Sequence, residues 1–405
     1  MKKKFFFISN GLPSSHTGGS ALFAINLLKE LKKEYEVIAL NPLKDYFSKN
    51  LILKAKKELK KEKIKYHVIK FNKKILHKRN ITLWNFYKTN YYSKEKLKEI
   101  EEFVDKIKIN EKDIVFCVGS NCIAACQNIK ATKIAVAEDI QDQVQIYRTY
   151  LSINKFNFLK KIIKIFMLKV FFRNYHNWIK EITSRYNIIY TYSPFDYSKL
   201  KNKINLSVLT APMKFKIQKK KRKKNKIFNI SMYSSTISQD FHGVILLHEK
   251  LLPKIKEKNL LNKVKLNIVM RIPKVIPARI KKIIENKDIH VQKYNNKTLD
   301  ETDMLFYPSK YPVGVRSKIL HAFSRSWFVA TSSTIKKCIP ELEDFKNCVM
   351  SNNINELVDK ILDIINNQKN YEYILHNSQK VLKKYSPKIS ANKVISDIKN
   401  ANSNF

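Results

Sequence analysis

The sequence predicts an α/β protein built from two parallel-sheet domains. Short apolar runs alternate with longer amphipathic ones, a strongly basic stretch divides the chain near its middle, and 405 residues exceed what one hydrophobic core usually serves. Phe5 to Ser9 is a short apolar run that ends in Asn10-Gly11-Leu12-Pro13, which reads as a buried parallel strand entering a loop. Ser14 to Ser20 is polar and contains Gly18-Gly19. Ala21 to Lys33 then places Leu22, Ile25, Leu28 and Leu31 at helical spacing, and Tyr35 to Leu40 is a second strand. Asp113 to Val118, Lys133 to Ala137 and Asn187 to Tyr192 continue the series.

Lys214 to Lys226 holds nine basic residues in thirteen without apolar periodicity, so it reads as a solvated linker. Strand-like runs resume at Ile227 to Met232, Lys265 to Met270, Ile289 to Gln292, Met304 to Tyr307 and Trp327 to Thr331. Asn355 to Lys384 is expected to be helical from the spacing of Leu357, Ile361, Ile364 and Ile365, and the polar tail from Ser390 adds a further helix. The expected organisation is a first domain over 1–205, a basic linker over 206–226, a second domain over 227–385 and a tail over 386–405.

Lys and Arg number 79 against 34 Asp and Glu, a net charge of +45, so phosphates and anionic lipid headgroups are the expected partners. The five cysteines (Cys117, Cys122, Cys126, Cys338, Cys348) are odd in number and form no CxxC pair, which favours neither disulfides nor a metal site and fits a reducing compartment. The apolar run after Met1-Lys-Lys-Lys is too short for a signal peptide, and no apolar stretch reaches the length of a membrane span.

Ligands of parallel sheets bind in the loops at the carboxyl ends of strands, and two such loops stand out. In Asn10 to Ser20, adjacent glycines Gly18 and Gly19 permit close backbone approach, and the helix starting near Ser20 offers free N–H groups to an anion. The spacing is neither G-x-G-x-x-G nor a Walker loop, and a structural turn is the competing reading. In Tyr307 to Thr331, a strand leads through prolines to Gly314, then to Arg316 and Lys318 at the mouth of a helix, the combination that a diphosphate needs. Two solvated cations on a first helical turn are the alternative there.

The order Pro312, Gly314, Arg316, Lys318, Ile319, Leu320, Ala322, Val329-Ala330-Thr331, Ile339-Pro340-Glu341-Leu342 and Asn347-Cys348-Val349-Met350 resembles the donor-binding stretch of GT-B glycosyltransferases. The group in question is the large, retaining, group 1 type that includes sucrose and glycogen synthases, whose pattern is roughly G-x-R-x-K-x-L-E-A followed by P-V-V-A-T. The resemblance implies two Rossmann-like domains facing across a cleft and a nucleotide-sugar as substrate, with no cofactor; no Asp-x-Asp motif is apparent, so no metal is expected either. It implies that Arg316 and Lys318 neutralise the donor phosphates, that Gly314 allows their approach, and that Arg271 is a further phosphate ligand. His321 stands where the family has a ribose-binding glutamate. Lys310 or Tyr311 replaces the family's earlier glutamate, and Asn229 to Ser235 lacks its usual glycine.

Transfer also needs a group beside the acceptor hydroxyl. Glu138 and Asp139, ending the Ala135 to Ala137 run, are candidates, with His16 of the Gly-Gly loop as their rival and a capping or surface role as the plain alternative. Finally, Lys155 to Arg173 places Phe156, Leu159, Ile163, Phe166, Met167 and Val170 on one helical face and Lys160, Lys161 and Lys164 on another. That is the pattern of a helix lying in a bilayer interface, or of one packed on its own domain. The expected activity is sugar transfer to a lipid-linked or cell-surface glycan by a cytoplasmic protein held peripherally on the inner membrane face. The rival classes are a basic nucleic-acid-binding protein, which the absence of a recognition motif disfavours, and an inactive GT-B-like protein.

Overall fold

A computed structural model describes residues 2–9, 11–16, 19–41, 49–68, 94–137, 158–201, 206–218, 227–234, 241–270, 278–293, 296–309, 312 and 314–403. The chain divides into two units: Met1–Ile140 with Met167–Lys214 and Tyr385–Phe405, and Gln141–Phe166 with Phe215–Lys384.

The first unit holds a seven-stranded parallel sheet. Its strands are β1 (Lys4–Ser9), β2 (Glu36–Asn41), β3 (Lys65–Val68), β4 (Ile114–Val118), β5 (Thr132–Ala137), β6 (Ile188–Thr191) and β7 (Leu206–Val208), in the order β3-β2-β1-β4-β5-β6-β7. β1 reads as one apolar run because helices cover both of its faces, and Phe5 to Ile8 are all buried. Phe6 and Ile8 join Val115, Cys117, Ala135 and Ala137 in a core closed by Ile100, Val104, Ile179 and Ile182 from helices Lys94–Lys106 and Phe158–Thr183. On the same strand Phe7 stacks on Phe116 with ring centroids 5.6 Å apart. The tail forms the helix Pro387–Ser403, which packs on helix Gly19–Leu31. Its Asp397 accepts a 2.6 Å hydrogen bond from the Tyr190 hydroxyl, and burial followed by this carboxylate pushes that phenol well above its ordinary value.

The second unit holds a six-stranded parallel sheet: β8 (Phe228–Ser234), β9 (Val264–Met270), β10 (Ile289–Gln292), β11 (Met304–Tyr307), β12 (Phe328–Thr331) and β13 (Val349–Met350), ordered β10-β9-β8-β11-β12-β13. Phe228, Ile230 and Met232 on one face of β8 meet the apolar stripe of helix Ile354–Asn366, whose Leu357, Ile361 and Ile364 are fully buried. The Asn353 side chain caps that helix by accepting from the Asn355 N–H at 3.0 Å. The single helix expected over 355–384 is instead two, Ile354–Asn366 and Glu372–Val381, joined by a 3₁₀ turn at Gln368–Tyr371. Consecutive Asn366 and Asn367 explain the break: Asn367 turns its side chain back to the Asp363 carboxylate at 2.7 Å, and asparagine competes with helical backbone bonding. Residues 214–218 of the expected linker are irregular, and Gln218 is tied to Ser324 and Ser326 by its backbone; residues 219–226 lie outside the described residues.

Candidate functional site

In each sheet the strand order reverses once, between β1 and β4 in the first and between β8 and β11 in the second. Helices leaving the two strands at a reversal pass to opposite faces and open a crevice at the carboxyl strand ends. All six glycines of the chain (Gly11, Gly18, Gly19, Gly119, Gly243, Gly314) fall in the segments that follow these four strands. In a sequence this poor in glycine, side-chain-free backbone is concentrated where a ligand would approach.

At the second reversal, Lys318 lies on the first turn of helix Ser317–Ser324. Its ammonium donates to the carbonyl oxygen of Tyr233, the penultimate residue of β8, at 2.9 Å and stands 5.5 Å over the ring of Tyr307, the last residue of β11. One flexible cation is therefore held at the carboxyl ends of both strands. The loop between β11 and the helix turns at Gly314, whose φ of 55° lies in the left-handed region where a Cβ is costly. The turn then tightens through a Ser317 N–H bond to the Val315 carbonyl at 2.9 Å. On the β8 side Gly243 lets helix Phe241–Leu246 approach closely: an added Cβ would stand 2.4 Å from the Met232 terminal methyl.

Arg316 is the N-cap residue of the Lys318 helix and is only 7 % exposed, so it is a buried cation rather than a solvated one. His321, one turn after Lys318 on the same face, is exposed, with its ring 5.9 Å edge-on from Phe215. Crowding by protein, and secondarily the Arg325 charge, hold its imidazole below the ordinary histidine value, so the neutral form dominates at neutral pH. Behind Lys318, Tyr233 stacks on Trp327 (5.4 Å, 12° between planes) and bonds Thr302 through its hydroxyl at 2.9 Å. Arg325 lies 5.9 Å over the other ring and pairs with Asp300 at 3.1 Å. This column fixes the β8 end that carries the Lys318 acceptor.

At the first reversal, the loop after β1 is pinned by Glu58 of helix Lys49–Lys61. The carboxylate accepts from the Ser15 N–H at 2.8 Å, the Ser15 hydroxyl at 3.1 Å and the Ser14 hydroxyl at 3.2 Å, with Lys29 at 3.4 Å. Burial alone would raise its pKa, but these bonds and the Lys29 charge outweigh burial and hold it below the ordinary range. His16 and Ser20 are exposed, and helix Gly19–Leu31 starts at Gly19, where an added Cβ would meet nothing within 4 Å.

The structure therefore brings Gly314, Arg316, Lys318 and His321 together in one unit and leaves His16, Gly19 and Ser20 in the other. Gly18, Glu138, Asp139, Arg271, Lys310 and Tyr311 lie outside the described residues. Sequence reading missed Tyr233, Tyr307, Trp327, Gly243 and Glu58. The aromatics were hidden because they read as strand core, whereas the placement of the scarce glycines was a usable signal.

No protein-family model and no curated protein matches the sequence. Solved structures match over nearly the whole chain. TarM shares 15% identity with a TM-score of 0.71, covering 98% of this chain and 99% of its own. A glycosyltransferase from Rickettsia africae shares 15% at 0.65, with 100% of both chains covered. Anabaena HepE, in complex with UDP and glucose, shares 11% at 0.63, covering 98% of this chain and 100% of its own. A second TarM structure, from S. aureus, holds Fondaparinux, alpha-GlcNAc-glycerol and UDP (13% identity, TM-score 0.67, 98% and 99% covered). Two parallel Rossmann-like sheets and these full-length likenesses establish that the chain has the GT-B fold.

Proposed function

We propose that this chain is a glycosyltransferase that moves a sugar from a nucleotide-activated donor to a glycan or lipid-linked acceptor. The observation that carries the reading is the Lys318 ammonium at the carboxyl ends of β8 and β11, beside the Gly314 turn. A nucleoside diphosphate there would meet a cation, a backbone able to approach, and the N-terminus of an eight-residue helix. Lys318 would neutralise charge that grows on the departing diphosphate, a contribution that is larger in the transition state than in the ground state. Arg316 supplies the second positive charge, with Arg271 as a further phosphate ligand, and the neutral imidazole of His321 exchanges hydrogen bonds with ribose hydroxyls.

The acceptor side falls to the first unit, where Glu138, Asp139 or His16 would take the hydroxyl proton and Gly18, Gly19 and Ser20 would line the approach. The bound UDP and sugars of HepE and TarM support the donor class. The excess of cations supports an anionic membrane surface as the working place, on the cytoplasmic side, and a lipid-linked or cell-surface glycan as the acceptor. Among the described residues no helix is long and apolar enough to cross a membrane, so attachment would be peripheral.

Thermal melting against a panel of nucleotide sugars tests the reading, because a ligand bound only by the folded state raises the melting temperature. At least one donor should stabilise the protein, and the double substitution Arg316→Ala, Lys318→Ala should abolish the shift. A full shift in the double variant removes the site.

A further inference from the structure

The geometry points to one half of helix Phe158–Thr183 as the element that docks this protein on an anionic bilayer, which deepens the proposed function and rests on it for the acceptor's location alone. The helix has two ends with different tasks. Toward its C-terminus, Ile179 and Ile182 are buried in the first unit's core, which fixes the rod. Toward its N-terminus the opposite face is open. Ile162, Phe166 and Val170, four residues apart, are 49%, 66% and 44% exposed, and Ile163 beside them is 52% exposed. Residues at that spacing stand above one another on one helical face. The same face carries exposed Lys169 and Arg173, so among the described side chains its exposed apolar part spans about two turns and is bordered by cations.

Of the apolar face expected from the sequence, Ile163, Phe166 and Val170 are exposed and Met167 is half-buried, while Phe156 and Leu159 lie outside the described side chains. A stripe of large apolar side chains in water marks a contact surface. Charge selects the occupant. From Phe158 to Lys180 the helix contains no Asp or Glu, whereas Lys160, Lys161, Lys164, Lys169, Arg173 and Lys180 are cationic. A second copy of a chain with net charge +45 would be repelled, and a bilayer rich in acidic headgroups would be attracted. The apolar stripe is too short to span, so the helix would lie with Phe166 and its neighbours at the headgroup boundary and Lys169 and Arg173 among the phosphates.

The test is sedimentation of the full chain with vesicles of phosphatidylcholine alone and of phosphatidylcholine with phosphatidylglycerol. The wild type should sediment with the second and much less with the first, and added salt should weaken it. Ile163→Ser with Phe166→Ser should lower the partition coefficient about tenfold, and Lys169→Glu with Arg173→Glu at least about fivefold per cation lost. Both pairs are on the surface, so melting temperatures should stay at the wild-type value. In the otherwise unchanged chain, Phe166→Trp should add an emission component that moves to the blue on the phosphatidylglycerol vesicles.

Equal sedimentation with and without phosphatidylglycerol would overturn the inference. So would concentration-dependent self-association that Phe166→Ser removes while vesicle binding is absent. The outcome for donor chemistry is read separately. Vesicle binding without any nucleotide-sugar melting shift would sink the proposed transfer and leave the docking element standing, whereas a shift without vesicle binding would do the reverse.

Discussion

Replacing Lys318 by methionine isolates one charge. The side chain reaches the Tyr233 carbonyl at 2.9 Å and covers the Tyr307 ring, and methionine keeps most of the stem while removing the ammonium. In the free protein the loss is one partly buried hydrogen bond to a strand-end carbonyl, about 0.5–1.5 kcal/mol. In the complex the loss is a charge-assisted contact to phosphate, worth about 1.5–3 kcal/mol, or about 10- to 150-fold in dissociation constant. The two effects separate cleanly because one is read without ligand. Calorimetric titration of UDP and of a UDP-sugar into wild type and Lys318→Met, beside melting curves of both without ligand, provides the comparison. We expect a small melting change and a large affinity loss that shrinks as salt rises. A folded Lys318→Met variant with wild-type affinity would refute the placement of the diphosphate.

Three further outcomes follow from named contacts. Gly314→Ala forces a Cβ into a left-handed turn at φ 55° and should cost about 1–2 kcal/mol, whereas Gly19→Ala, with open space around it, should be neutral or slightly stabilising in urea unfolding. Glu58 is held below the ordinary carboxylate range, so its contribution is present above that range and disappears as pH falls through the lowered value; Glu58→Ala should destabilise the protein at neutral pH by about 1–2 kcal/mol, and the gap to wild type should narrow in acid melts. For His321 the lowered value means that the unfolded chain binds the proton more readily, so stability falls as pH drops below the ordinary histidine value toward the lowered one. His321→Gln should lose less stability than wild type over that window, and parallel curves would contradict the assignment.

The central strands were readable because both faces are covered: β4 and β11 are unbroken apolar runs, and β1 and β5 carry such runs at Phe5 to Ile8 and Ile134 to Ala137. The edge strands β3 and β7 were not, since Lys65-Tyr-His-Val68 and Leu206-Ser-Val208 bury nothing fully and are only four and three residues long, too short for an alternation to stand out. Helices Lys49–Lys61 and Lys94–Lys106 escaped notice for a related reason. Among the described residues each buries just two apolar side chains, Ala55 with Leu59 and Ile100 with Val104, in a sequence dominated by Lys and Glu.

The grouping of Gly314, Arg316 and Lys318 at a helix start was legible from their spacing in the sequence alone. Its supports were not. Tyr233 serves Lys318 with a backbone carbonyl, which any residue possesses, and Glu58 reaches the first loop from a helix 43 positions away in the chain. Only the fold brings such partners together.

Where a nucleoside diphosphate binds is the decisive observation. A crystal structure of the chain grown with UDP should show the diphosphate at the carboxyl ends of β8 and β11, a phosphate oxygen within hydrogen-bond reach of Lys318 Nζ. Nucleotide bound elsewhere on the surface, or an empty crevice with Lys318 still on the Tyr233 carbonyl under saturating UDP, would contradict it.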